Sequence, residues 1–106
     1  MRTFTLGRSQ EEAISLFPDR SIREVQLGDQ KICVARDGES FFAFERLCPH
    51  RLANLKEGQL NSFQEVICPL HHYRFELNSG RVASGDCRDL KVYKAELDES
   101  GLKISI

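Results

Sequence analysis

Phe41-Phe42-Ala43-Phe44-Glu45-Arg46-Leu47-Cys48-Pro49-His50 runs an aromatic strand into a cysteine. Glu65-Val66-Ile67-Cys68-Pro69-Leu70-His71-His72 runs a second apolar strand into another. Two of the four cysteines and all three histidines lie in these two segments, and two of the three prolines directly follow a cysteine. Thiolate and imidazole ligands clustered in this way read as a metal site. A zinc finger usually takes two cysteines from one knuckle and two histidines from one helix, whereas here the order is Cys, His, Cys, His. Each loop therefore offers one thiolate and one imidazole at a strand end, so two similar tips can face each other. A single zinc ion could use all four. A binuclear iron centre uses the symmetry better, because two bridging sulfides complete two tetrahedra when the cysteines hold one iron and the histidines the other. Two ferric ions, two sulfides and two thiolates balance to zero charge, so such a centre accepts an electron more readily than an all-cysteine one. Disulfide pairing among the four cysteines is the other option, and a chain without a secretion signal is expected to stay reduced.

Working outward, residues 9–17 carry a capping pattern, Ser9 then Glu12, followed by Ala13, Ile14, Leu16 and Phe17 on roughly one face. Pro18 ends this single expected helix, which follows a possible strand at 3–6. Everything later reads as strands. Residues 23–27 and 31–36 alternate around Gly28-Asp29, Asp37-Gly38 turns into 41–44, and 65–67 leads into Cys68. Residues 74–77 and 81–82 flank the turn Asn78-Ser79-Gly80, and 91–97 and 102–106 flank the turn at 98–101. Short strands at regular spacing predict an all-β antiparallel sandwich or partly open barrel.

With 106 residues, 41% apolar and 29% charged, the chain is expected to be one domain, 1–106, with one modest core and a single site. The formal charge of −1 removes the electrostatic footprint of a nucleic-acid binder and the drive toward a membrane surface. The start Met1-Arg2-Thr3-Phe4 has no apolar stretch of signal-peptide length, so a cytoplasmic protein, expected to be a monomer, is the reading.

The chain resembles the Rieske iron-sulfur proteins, whose motif is Cys-X-His and Cys-X-X-His separated by fifteen to seventeen residues. Here Cys48-Pro49-His50 and Cys68-Pro69-Leu70-His71 are seventeen residues apart. The likeness runs over nearly the whole length and is nearest the stand-alone, ferredoxin-type proteins of oxygenase systems. It implies an antiparallel β-sandwich with a small cluster-binding subdomain at about 46–86, and one 2Fe-2S cluster per chain. It also implies that Cys48 and Cys68 hold the inner iron and His50 and His71 the outer one, with both imidazole edges facing solvent. The implied role is a one-electron carrier with no substrate of its own, between a flavin-dependent reductase and a terminal oxygenase or similar enzyme. Two alternatives remain: a Rieske-like small subunit of a nitrite reductase, which commonly lacks the ligands, and a structural zinc module mediating protein contacts.

Departures from the high-potential members point to a low potential. Arg51-Leu52-Ala53 and Pro69-Leu70 leave no cysteines for a bridge between the loops. Tyr73 and Phe75 stand where those members carry a serine and a tyrosine that donate hydrogen bonds to the cluster, and fewer donors stabilise the reduced form less. The third loop, Ala83-Ser84-Gly85-Asp86, lacks the family's frequent proline. Of the remaining residues, Cys33 reads as a small buried hydrophobe and Phe41, Phe42 and Phe44 as core. Cys87 is packing or a shield near the third loop, and His72 an exposed neighbour of a ligand. Arg51, Lys56, Arg74, Arg81 and Arg88 could form a basic rim for an acidic partner.

Overall fold

Two hairpins set the frame in the computed structural model, which describes residues 2–106. Strand β2 (Ile22–Leu27) turns through Gly28 and Asp29 into β3 (Gln30–Asp37), which turns through Gly38 and Glu39 into β4 (Ser40–Glu45). Gly28 and Gly38 stand first in their two-residue loops at φ 66° and 64°, a region glycine reaches without a side-chain clash. The second turn lies one residue beyond the expected Asp37-Gly38, because Asp37 pairs with Ser40 and the Gly38 amide donates to the Asp19 carboxylate at 2.8 Å.

Strands β9 (Val92–Asp98) and β10 (Gly101–Ser105) form the closing hairpin, and β1 (Thr3–Leu6) pairs with β10. β9 joins β4 through Ala43 with Tyr93 and Phe44 with Val92, which completes a six-stranded sheet in the order β1-β10-β9-β4-β3-β2. A second, four-stranded sheet holds β5 (Gln59–Leu60), β6 (Glu65–Ile67), β7 (Arg74–Glu76) and β8 (Val82–Ser84) in sequence order. All pairings are antiparallel, as the alternating sequence demanded. β5 and a 3-10 turn at Leu55–Glu57, capped by the Asn54 side chain, were not expected from the sequence. Two-residue strands and single turns are too short to show a period.

Helix α1 (Gln10–Ser15) begins as its capping pattern predicts, with the Glu12 amide donating to Ser9 Oγ at 3.1 Å. It stops two residues before the expected Phe17. The Arg23 and Arg36 guanidiniums donate to the carbonyls of Leu16 and Phe17 at 2.8 and 2.9 Å, and so satisfy the end of the helix from the neighbouring hairpin.

The central hairpin has a core on each face. Ile32, Val34, Phe41 and Ala43 pack with Ala13, Phe17, Leu102 and Ile104 on one side. Cys33, Ala35, Phe42 and Phe44 alternate with them and pack on the other side against Leu55, Val66, Phe75, Leu77 and Leu90 of the segment carrying the second sheet. Both strands therefore read as unbroken apolar runs, since neither face meets water. Cys33 is fully buried, and burial pushes its thiol up to about 12. The second core sits directly beneath the two cysteine loops, and each of its buried phenylalanines contributes roughly 1.5–3 kcal/mol of burial to holding that base.

Candidate metal centre

The two cysteine loops close in the same way. The Cys48 amide donates to the Ala53 carbonyl at 2.8 Å, and the Cys68 amide to the Tyr73 carbonyl at 2.7 Å, each five residues on. In both loops proline follows the cysteine, and the residue four places after it takes a left-handed backbone: Leu52 at φ 60° and His72 at 58°. His71 joins them at 65°. Non-glycine residues in this region cost about 1–3 kcal/mol each and persist where surrounding contacts over-determine the loop. Three of the five such residues lie in the two loops that carry the candidate ligands, the others being Arg20 and Gln64.

Cys48 and Cys68 are fully buried at the foot of these loops, within the core of Leu55, Val66 and Phe75. Burial first, with the neighbouring Cys48 adding to it, pushes the Cys68 thiol up to about 11, against the lowering pull of the Leu70 backbone. The Cys68 thiol therefore holds its proton until a cation binds. Less buried than these cysteines, the His50 and His71 rings lie 5.2 Å apart between centroids, tilted by 53°.

The two imidazoles differ in burial. His71 is exposed, whereas His50 is half-buried and its Nδ1 is fully enclosed without a hydrogen-bond partner among the described residues. Burial, then the neighbouring His71 and Arg51, holds its pKa below the ordinary histidine value and so favours the neutral ring. A buried, unpaired nitrogen on a neutral ring is costly unless its lone pair has an acceptor, and a metal ion supplies one. Among the described residues, no three His, Cys, Asp or Glu side chains close in on one point as a single tetrahedral ion requires. A buried cysteine pair and a less buried histidine pair instead fit a centre with two metal positions.

Tyr73 is the neighbour that the sequence left without a role beyond replacing a serine. Its ring stacks on His50 at 3.9 Å between centroids and 11° between planes. On the third loop Gly85, at φ 139°, lies so close that a Cβ there would stand 2.6 Å from Tyr73 Cε2. Cys87 is partly buried against the same core, its thiol raised by burial and by Cys48. His72 is exposed, as expected. Three of the five residues of the expected basic rim are paired with carboxylates: Arg74 with Glu65 at 3.1 Å, Arg81 with Glu76 at 2.8 Å and Arg88 with Glu45 at 2.8 Å, while Arg51 and Lys56 are exposed. Beside the exposed Arg51, His71 and His72, the two loops also expose apolar side chains, with Leu52 67% and Leu70 40% accessible.

Residues 10–94 match the family described as the Rieske [2Fe-2S] domain. The chain belongs to the Rieske family. Its cofactor is accordingly a Rieske 2Fe-2S cluster. Among curated Rieske relatives, ferredoxin CarAc of Metapseudomonas resinovorans is 33% identical over 87 residues, 80% of each chain. Among solved structures, a chain from the complex of reduced oxygenase and oxidised ferredoxin in carbazole 1,9a-dioxygenase is 30% identical with a TM-score of 0.79, covering 97% of this chain and 92% of that one. A chain described as a nitrite reductase NADPH small subunit superposes over its full length with a TM-score of 0.81 at 14% identity, a likeness of fold alone. Among the described residues of this Rieske chain, no helix is long and apolar enough to cross a membrane.

Proposed function

We propose that this chain is a ferredoxin of an oxygenase system, a one-electron carrier that takes an electron from a flavin-dependent reductase and delivers it to a terminal oxygenase. In this reading Cys48 and Cys68 hold one iron and His50 and His71 the other, within a cluster-binding unit of residues 46–86. The observation that carries it is the enclosed, unpartnered Nδ1 of His50, set beside His71, together with two buried thiols.

When bound, the cluster supplies a reversible one-electron acceptor. The protein's own residues do the rest. The buried cysteines and the core beneath them keep water from the inner side. The exposed His71 leaves one ligand edge open to a partner, and Leu52 and Leu70 beside it offer an apolar contact that excludes water between the redox centres. Curated relatives are named a ferredoxin and ferredoxin components of dioxygenase systems, which favours a carrier over a protein with its own substrate. The nitrite reductase alternative shares the fold, but its relatives lie much further away in sequence. The zinc alternative is disfavoured by the separation into two ligand pairs.

Electron paramagnetic resonance of the anaerobically reduced protein, with iron, sulfide and zinc analysis of the same sample, tests the site. A rhombic signal of low average g at two irons per chain supports mixed Cys and His ligation, while one zinc and no signal after reconstitution overturns it. The carrier role is tested by mixing the reduced protein with an oxygenase and following reoxidation. No reoxidation by any oxygenase of the class, with ready reoxidation by a nitrite reductase, would favour the small-subunit reading.

A further inference from the structure

One aromatic ring holds the three loops around the site together. The second loop supplies Tyr73, whose carbonyl accepts the Cys68 amide at 2.7 Å, so its backbone is pinned to a candidate ligand. The first loop lays His50 on the ring, nearly parallel, at 3.9 Å. The third loop presses Gly85 against the ring, in a backbone region that favours glycine and at a distance that admits no side chain. Only one of the two candidate imidazoles is braced in this way. His71 meets nothing aromatic but the tilted His50 ring among the described residues.

From this arrangement we propose that Tyr73 is the positioning residue of the centre: its ring face fixes the rotation of the His50 imidazole, so that Nδ1 stays enclosed while the exposed His71 is left unbraced. The inference rests on the proposed ligand set. A flat ring stacked on His50 removes one side of its rotational freedom, and Gly85 keeps Tyr73 from backing away. The tyrosine hydroxyl has no part in this, which separates the role from that of a hydrogen-bond donor to the cluster.

The test compares the wild type with Tyr73→Phe, Tyr73→Leu and Gly85→Ala, each checked for folding by circular dichroism. Two readouts are taken: the g-values and linewidths of the reduced cluster, and the half-life of iron release to a chelator under argon. Tyr73→Phe is expected to match the wild type in both. Tyr73→Leu keeps most of the volume but offers no flat face, and is expected to broaden the signal and shorten the half-life at least fivefold. Gly85→Ala pushes on the ring from the other side and is expected to reproduce that change. The proposal is overturned if Tyr73→Leu behaves as the wild type, or if Tyr73→Phe is disturbed as much as Tyr73→Leu. If Tyr73→Leu does not fold, Gly85→Ala decides by the same criteria. A wild type without the mixed-ligand spectrum removes the ligand assignment itself, and this inference with it, whereas failure in the variants alone leaves that assignment standing.

Discussion

The Glu45 carboxylate and the Arg88 guanidinium meet in a two-pronged pair, at 2.8 and 2.9 Å, across 43 residues of chain. Glu45 ends β4 immediately before the Cys48 loop, and Arg88 follows the third loop, so the pair ties two walls of the site together. The same carboxylate accepts the Lys91 amide.

Glu45→Gln is therefore expected to lower stability by about 1–2 kcal/mol, a figure discounted because Arg88 is 60% exposed. Burial alone would raise the Glu45 pKa, but Arg88 and the Lys91 amide outweigh it and hold it below the ordinary 4.5. A folded-state pKa below the unfolded one adds stability that is present above 4.5 and lost as pH falls through the folded value. Thermal melts at stepped pH should show the gap between wild type and variant narrowing only on the acid side, and a gap that widens there would contradict the pairing.

Single ligand changes test the site. Cys68→Ser and His50→Ala are expected to leave less than a tenth of the iron of the wild type, whereas His72→Ala, one residue from a ligand and exposed, should keep full iron and an unchanged spectrum. Iron analysis of the three proteins purified in parallel is sufficient, and native iron in either ligand variant would refute the assignment.

Docking through Leu52 and Leu70 predicts only a modest dependence on salt, because Arg74, Arg81 and Arg88 already have carboxylate partners and Arg51 is the exposed charge left beside the contact. Leu52→Asp should slow electron delivery to an oxygenase about tenfold with no change in the cluster spectrum, by placing a charge in a contact that must lose water. Arg81→Glu should change the rate by less than twofold. Stopped-flow reoxidation at low and high salt distinguishes these outcomes.

Phe75 is fully buried in the core below the cysteines and carries no hydroxyl, so the donor that raises the potential of other Rieske proteins is missing at this position. The midpoint is expected at the low end of the range of about −150 to +300 mV. A redox titration centred well above zero would require a different set of donors.

The strands were legible because their apolar residues alternate or run together between glycine turns, and the family because its motif is local. The helix cap at Ser9 was legible for the same reason. The helix end was not, since Arg23 and Arg36 complete it from a hairpin distant in sequence. Nor was the pairing of Arg74, Arg81 and Arg88, because each finds its carboxylate through strand pairing or loop docking rather than through spacing. Tyr73 gave no periodic signal at all. An aromatic residue closing a ligand loop, with a glycine in the third loop, is the only trace that its stacking left in the sequence.

The two-faced hairpin of β3 and β4 also bears on how the molecule comes apart. Ile32 and Val34 belong to one core while Cys33 and Ala35 belong to the other, so neither core can melt without stripping one side of the same two strands. Bleaching of the cluster on heating should therefore coincide with loss of the β-sheet signal in a single cooperative transition, and the colour of the protein becomes a direct reading of its folded fraction.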